Sequence, residues 1–101
     1  MNRKEVVVRA DVSVDWQGDP PKIRVYVGNE MFIERTWIWQ VDYYLEEMLV
    51  VNAPPGRYDL RWELVPPSQG KIEVKNIRIE HGAAHAYIKK DSQLRIQDES
   101  T

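Results

Sequence analysis

From Val6 to Val14 a small apolar residue recurs at every second position: Val6, Val8, Ala10, Val12 and Val14. Glu5, Arg9, Asp11 and Ser13 fall between them. Successive side chains of a strand point to opposite faces, so this spacing gives one apolar and one polar side when the backbone is extended. A helix would scatter the same valines around its axis. The chain therefore has to build a sheet with one buried face, and the remaining segments can be read against that requirement.

Several of them repeat the period. After the turn-rich Gln17-Gly18-Asp19-Pro20-Pro21, Ile23, Val25 and Val27 point inward and Arg24 outward. Gly28-Asn29 has hairpin chemistry, since both residues tolerate positive φ, and Met31 to Trp39 is expected to be the returning strand. Ala53-Pro54-Pro55-Gly56-Arg57 is a further turn, after which Tyr58, Leu60, Trp62 and Leu64 alternate with Asp59, Arg61 and Glu63. Between Lys71 and His81 the phase changes: Ile72 and Val74 share one face, Ile77 and Ile79 the other. A bulge or bend near Lys75-Asn76 would put all four on the same side. Residues 84 to 88 and 94 to 96 supply one or two short final strands. The expected architecture is all-β, an antiparallel β-sandwich of jelly-roll type with about seven or eight short strands. It forms a single domain over residues 1–96, with a polar tail over 97–101.

Composition narrows the function. With 43% hydrophobic and 30% charged residues, the 101-residue chain is globular rather than disordered. A chain of this size buries roughly two-thirds of its unfolded surface and needs no metal or disulfide to hold together. Its net charge of -2 is spread over both signs, which gives a nucleic-acid partner no electrostatic support. The absence of cysteine excludes disulfides and thiol chemistry. Charge interrupts the apolar run after Met1-Asn2-Arg3-Lys4-Glu5, so no signal-peptide core is expected there, and no stretch is long enough to span a membrane. His81-Gly82-Ala83-Ala84-His85 has metal-ligand spacing only on a helix, and its flanks are strand and turn. No cofactor or metal is expected. No nucleophile elbow, phosphate-cradling loop or dinucleotide fingerprint occurs in the chain.

The most unusual stretch is Glu34-Arg35-Thr36-Trp37-Ile38-Trp39-Gln40-Val41-Asp42-Tyr43-Tyr44-Leu45-Glu46-Glu47, which holds two of the four tryptophans and four carboxylates. On a strand Trp37 and Trp39 share a face. Residues 41 to 51 fit helical spacing through Val41, Tyr44, Leu45, Met48 and Leu49, and also fit strand alternation; the β flanks and the absence of a clear capping box favour a strand. A strand would put one of Glu46 and Glu47 on each face. Ordinary packing is the first reading of these aromatics, with Trp37 in the core. Trp39, Tyr43 and Tyr44, if exposed, could instead serve a protein interface or stack on sugar rings. Trp16, beside the Gly18-Asp19-Pro20-Pro21 turn, is expected at an exposed loop with a partner. Glu34, Asp42, Glu46 and Glu47 could form a glycosidase-type acid pair only across a cleft, and solvated strand faces paired with Arg35 or Arg61 are the simpler expectation.

Val7-Val8-Arg9-Ala10, Gly18-Asp19-Pro20, Ile23 to Asn29, Ala53-Pro54-Pro55-Gly56-Arg57-Tyr58 and Ile72 to Ile79 resemble small β-sandwich carbohydrate-binding modules of the calcium-dependent, xylan-recognising kind. The resemblance implies the same fold and an acidic calcium loop at one end. The corresponding loop, Val65-Pro66-Pro67-Ser68-Gln69-Gly70, has no acid, so the fold is expected to carry over without the calcium-dependent site. Glu34 to Trp39, Tyr44-Leu45-Glu46-Glu47 and the Ala-Pro-Pro-Gly turn resemble short virion-associated proteins of tailed phages that infect marine cyanobacteria. That resemblance implies a non-enzymatic structural or decoration component of the virion, made in the bacterial host cytoplasm. Its expected partners are other virion proteins or further copies of itself, with no nucleic acid or membrane. Trp16, Trp39, Tyr43 and Tyr44 are the candidate contact or stacking residues. The alternative is a carbohydrate-binding module that recognises a polysaccharide through exposed aromatics.

Overall fold

In the computed structural model, which describes residues 3–67, 70–90 and 92–97, the chain forms eight strands in two antiparallel sheets packed face to face. They are β1 (Lys4–Asp15), β2 (Lys22–Val27), β3 (Glu30–Thr36), β4 (Leu45–Ala53), β5 (Gly56–Leu64), β6 (Lys71–His81), β7 (Ala86–Lys89) and β8 (Gln93–Ile96). One sheet has the order β4-β1-β6 and the other β3-β2-β5-β8-β7. The all-β sandwich read from the alternation is the observed architecture. No helix among the described residues is long and apolar enough to cross a membrane. Residues 98–101 of the expected tail lie outside the described residues.

β1 is the central strand of its sheet, and its alternation is realised in full. Val6, Val8, Ala10, Val12 and Val14 are all buried, with relative exposure of 1% or less. Twelve residues of strand span roughly 40 Å, so one side chain layer cannot fill the length beneath β1. The interior divides in two. Val6 and Val8 join Val25, Val27, Leu49, Val51, Leu60, Leu94 and Ile96 in the larger cluster. Ala10, Val12 and Val14 join Ile23 and Trp37 in the smaller one, and Trp62 and Ile77 pack against both.

The phase change in β6 is a bulge. Arg9 lies opposite Arg78 whereas Asp11 lies opposite Lys75, so the two strands count different numbers of residues between these pairs. Asn76 takes φ 54°, a left-handed conformation in which asparagine is among the few tolerated side-chain-bearing residues. The extra residue turns Ile77 and Ile79 to the inner side already used by Ile72 and Val74, and all four pack against the core clusters. A further bulge, between the Val25–Ile33 and Tyr26–Met31 pairs, lets both Phe32 and Ile33 reach the larger cluster. In the β2–β3 hairpin only Gly28, at φ 60°, has positive φ; Asn29 does not, which is the type II′ pattern with glycine first.

Two expected boundaries move. The returning strand ends at Thr36 rather than Trp39, because the chain must leave this sheet to reach β4 in the other one. The ambiguous 41–51 segment is a strand only from Leu45, where pairing with Val12 of β1 begins. The bulge carries the first prediction. Asn76→Val, which places a β-branched residue in the left-handed region, should lower unfolding free energy by about 1–3 kcal/mol in urea titration. Asn76→Gly should lose less, and equal losses for the two variants would show that backbone strain is not what selects asparagine.

Candidate functional site

The eight residues Trp37 to Tyr44 cross from β3 to β4, and tryptophans fasten the crossing to the sandwich. Trp37 is fully buried, and its backbone N–H donates to the carbonyl of Pro21 at 2.7 Å. Its ring meets that of Trp39 edge-on, with centroids 4.9 Å apart and planes at 63°, a favoured aromatic geometry. Trp16 packs on the same cluster and donates its indole N–H to the carbonyl of Trp39 at 2.9 Å. Trp37 and Trp39 therefore do not share a strand face; they lie past the strand end and pack against each other. Trp16 is half-buried rather than exposed, because its indole is the partner that holds the loop.

Beyond this anchor the loop turns outward. The N–H of Tyr43 donates to the carbonyl of Gln40 at 3.0 Å, closing a tight turn. Ile38, Val41, Tyr43 and Tyr44 are exposed, Tyr44 by 67%. Of the four candidate residues, Trp16 and Trp39 are thus brought together as an internal clasp, whereas Tyr43 and Tyr44 stand together in solvent. The two tyrosines border a cavity of about 390 Å³ against Asp11, Ser13, Glu73 and Lys75. Beyond the charged Glu46, Met48 and Val50 are further exposed apolar residues on the outward side of β4.

Between the tyrosines and Val50 lies a charge network on the outer face of the three-stranded sheet. Arg9 donates to Glu46 at 2.9 Å and to Glu80 at 2.7 Å. Arg78 bridges Glu46 and Asp11, and the Asn76 amide donates to Asp11 at 2.9 Å. That hydrogen bond from Asn76, with the Arg78 charge, holds the Asp11 carboxyl below its usual range. The network depends on the bulge, because Asn76 and Arg78 reach Asp11 only once the register has shifted.

One of the four carboxylates behaves differently from the solvated expectation. Glu47 points inward from β4, only 3% exposed, and pairs with Arg35 of β3 at 2.6 Å. β3 and β4 are the end strands of their respective sheets, so this pair joins the two sheets along one open side. Glu47 Oε1, Arg35 Nε and Trp37 Nε1 are buried without hydrogen-bond partners among the described residues, and a buried charge with incomplete bonding is destabilising. Burial pushes the Glu47 carboxyl up from its usual range despite the opposing pull of Arg35. The Glu46-Glu47 doublet signalled that one carboxylate must face inward. Arg35 is one of the expected partners, but its choice of Glu47 and the burial of the pair could not be read, because the pair joins strands of different sheets. Glu34, by contrast, lies on the outer face of the other sheet, bonded to Arg24 at 2.6 Å. Among the described residues, no group of three or more histidines and carboxylates is placed to hold a metal.

The chain matches no protein-family model, no curated protein and no solved structure. Its site must therefore be read from its own chemistry.

The inward glutamate has a signed consequence. A carboxyl whose folded pKa lies above its unfolded value, about 4.3, contributes most at pH below that value and loses the contribution as pH rises through the folded pKa. The stability of the wild type relative to Glu47→Gln should therefore fall as pH is raised through and above the carboxylate range, in parallel urea titrations. The opposite slope would mean that attraction to Arg35 outweighs the burial of the charge.

Proposed function

We propose that the chain is a non-enzymatic interaction protein, a structural or decoration component of a phage particle built on a carbohydrate-module-like sandwich. The observation that carries this reading is the exposure of Ile38, Val41, Tyr43 and Tyr44 on one loop, with Met48 and Val50 exposed further along β4. Exposed apolar residues grouped on one region of a small domain mark a contact surface, whereas scattered ones do not. Tyrosine and methionine are enriched at such contacts because they offer large surface with some adaptability. The tryptophan clasp supports the same reading, since a preorganised loop loses little entropy on docking.

The carboxylates favour binding over catalysis. Glu47 faces Arg35 inside the sandwich, Glu46 serves the Arg9–Arg78 network, and Glu34 pairs with Arg24 on the opposite sheet. Three acids committed to three different partners make a poor acid–base pair. The resemblance to virion-associated proteins supplies the particle as the setting, with virion proteins or further copies as the partners. Polysaccharide recognition is the second reading, favoured by the adjacent exposure of Tyr43 and Tyr44 at a polar cavity. It expects binding of soluble xylan or another glycan that Tyr43→Ala and Tyr44→Ala abolish, and absence of binding across a glycan panel, with and without chelator, would remove it.

Mass spectrometry of purified particles of the encoding phage should find the chain, and its absence from them would refute the proposal. The triple variant Tyr44→Ser, Met48→Ser, Val50→Ser should keep its thermal midpoint within a few degrees, since these side chains are exposed. The same variant should be lost from particles when it replaces the wild type.

A further inference from the structure

The arginines of this protein fall into two groups. Among the described residues, Arg9, Arg24, Arg35, Arg61 and Arg78 each lie in an ion pair with a carboxylate. Arg3, Arg57 and Arg95 have no carboxylate partner among the described residues. Arg3 donates to the carbonyl of Asn52 at 2.7 Å, and Arg95 donates its Nε to the side-chain oxygen of Gln93 at 2.7 Å. The three unmatched arginines gather at one end of the sandwich. Arg3 and Arg57 border the same groove of about 720 Å³. Arg57 and Arg95 lie directly opposite each other on β5 and β8, with Tyr87 of β7 next in the row.

That row is unfavourable as it stands. Tyr58 and Leu94 point inward, so Arg57 and Arg95 share the outer face, where directly opposed side chains lie about 4.5–5.5 Å apart at Cβ. Like charges at that distance are destabilising. Arg95 is nonetheless held in place: the Gln93 amide that accepts from it donates in turn to Asp59 at 3.1 Å. The guanidinium is thereby oriented by an amide dipole and makes no direct ion pair among the described residues. A positioned guanidinium with a second arginine directly across the ladder matches a carboxylate, which accepts several charge-assisted hydrogen bonds at once.

The groove beside the row says what kind of molecule carries the carboxylate. Its walls come from Glu30 and Phe32 on β3 and from Val51, Asn52 and Ala53 on β4. These are the end strands of the two sheets, and an end strand offers unpaired backbone groups along its outer edge. An extended polypeptide can use those groups as an added strand, whereas a sugar chain cannot follow the ladder. Glu30 is the only acid among the groove's lining residues, against Arg3 and Arg57.

We infer that this end of the sandwich is a docking site for an extended acidic polypeptide segment of a partner protein, its carboxylates held by Arg3, Arg57 and Arg95. The inference rests on the docking reading above and specifies the chemistry of one partner surface, distinct from the aromatic tract at Tyr43 and Tyr44.

The test uses a fluorescein-labelled peptide of alternating Glu and Val, its Gln/Val counterpart, and an oligogalacturonate, each titrated into the full chain at low salt. The Glu/Val peptide should bind, and binding should weaken roughly tenfold or more in Arg57→Gln and in Arg95→Gln. Both variants should melt at or above the wild-type temperature, because each relieves the Arg–Arg repulsion. Absence of Glu/Val binding, equal binding of the Gln/Val peptide, or binding indifferent to both substitutions overturns the site. Tighter binding of the oligogalacturonate reassigns it to an anionic sugar and overturns the peptide. A fall in melting temperature with loss of binding would mean that the arginines are structural. The particle reading is decided separately by mass spectrometry, so a failed peptide titration leaves it standing.

Discussion

Everything in this fold hangs on the inner face of β1. Its five small apolar residues supply both core clusters, and its two edges carry β4 and β6. The small side chains have a consequence beyond burial. Valine and alanine leave room for larger partners, filled at one end by Ile23 of the opposite sheet and Trp37 of the crossing loop, and at the other by Leu60, Leu94 and Ile96. Large residues on both sides would overfill the space between the sheets, which in sandwiches is about 10 Å.

The outer face of the same strand organises the charged surface. Val7, Arg9 and Asp11 face outward between β4 and β6, and the bulge at Asn76 decides which residues of β6 they meet. One left-handed residue therefore serves two ends. It returns Ile77 and Ile79 to the core, and it delivers Asn76 and Arg78 to Asp11. The exposed pairs of this network add little stability individually. Their chief effect is to hold the face between the tyrosine loop and Met48 in one arrangement.

β1, β2 and β5 are legible because each has a clear period, and the phase change from Val74 to Ile77 marks the bulge in β6. The tryptophan loop carries the local signature of a strand end. Trp37-Ile38-Trp39 has period two, but the same spacing arises when a loop buries one ring and stacks the next against it. Local spacing cannot tell these apart; the distance the chain must cross between sheets does. Tyr43 and Tyr44 were singled out as contact candidates together with Trp16 and Trp39, and only the fold separates the exposed pair from the clasp. That Arg35 meets Glu47 inside the sandwich, rather than another carboxylate on a solvated face, and that Arg57 faces Arg95, could not be read for a shared reason. Each joins residues from different strands, and no periodicity within a strand reports on its neighbour.

By itself the sequence determined that this protein is a sandwich of short antiparallel strands, because alternation and turn residues act within a few positions of each other. It also determined the inward residues of β1, β2 and β5, whereas the phase of β4 stayed open until the sheet order was known. Tertiary structure alone decided which aromatics face solvent, which glutamate is buried, and which arginines meet no acid among the described residues. Those outcomes depend on what lies across a ladder or between sheets, and strand order and register are set by the packing of the whole chain.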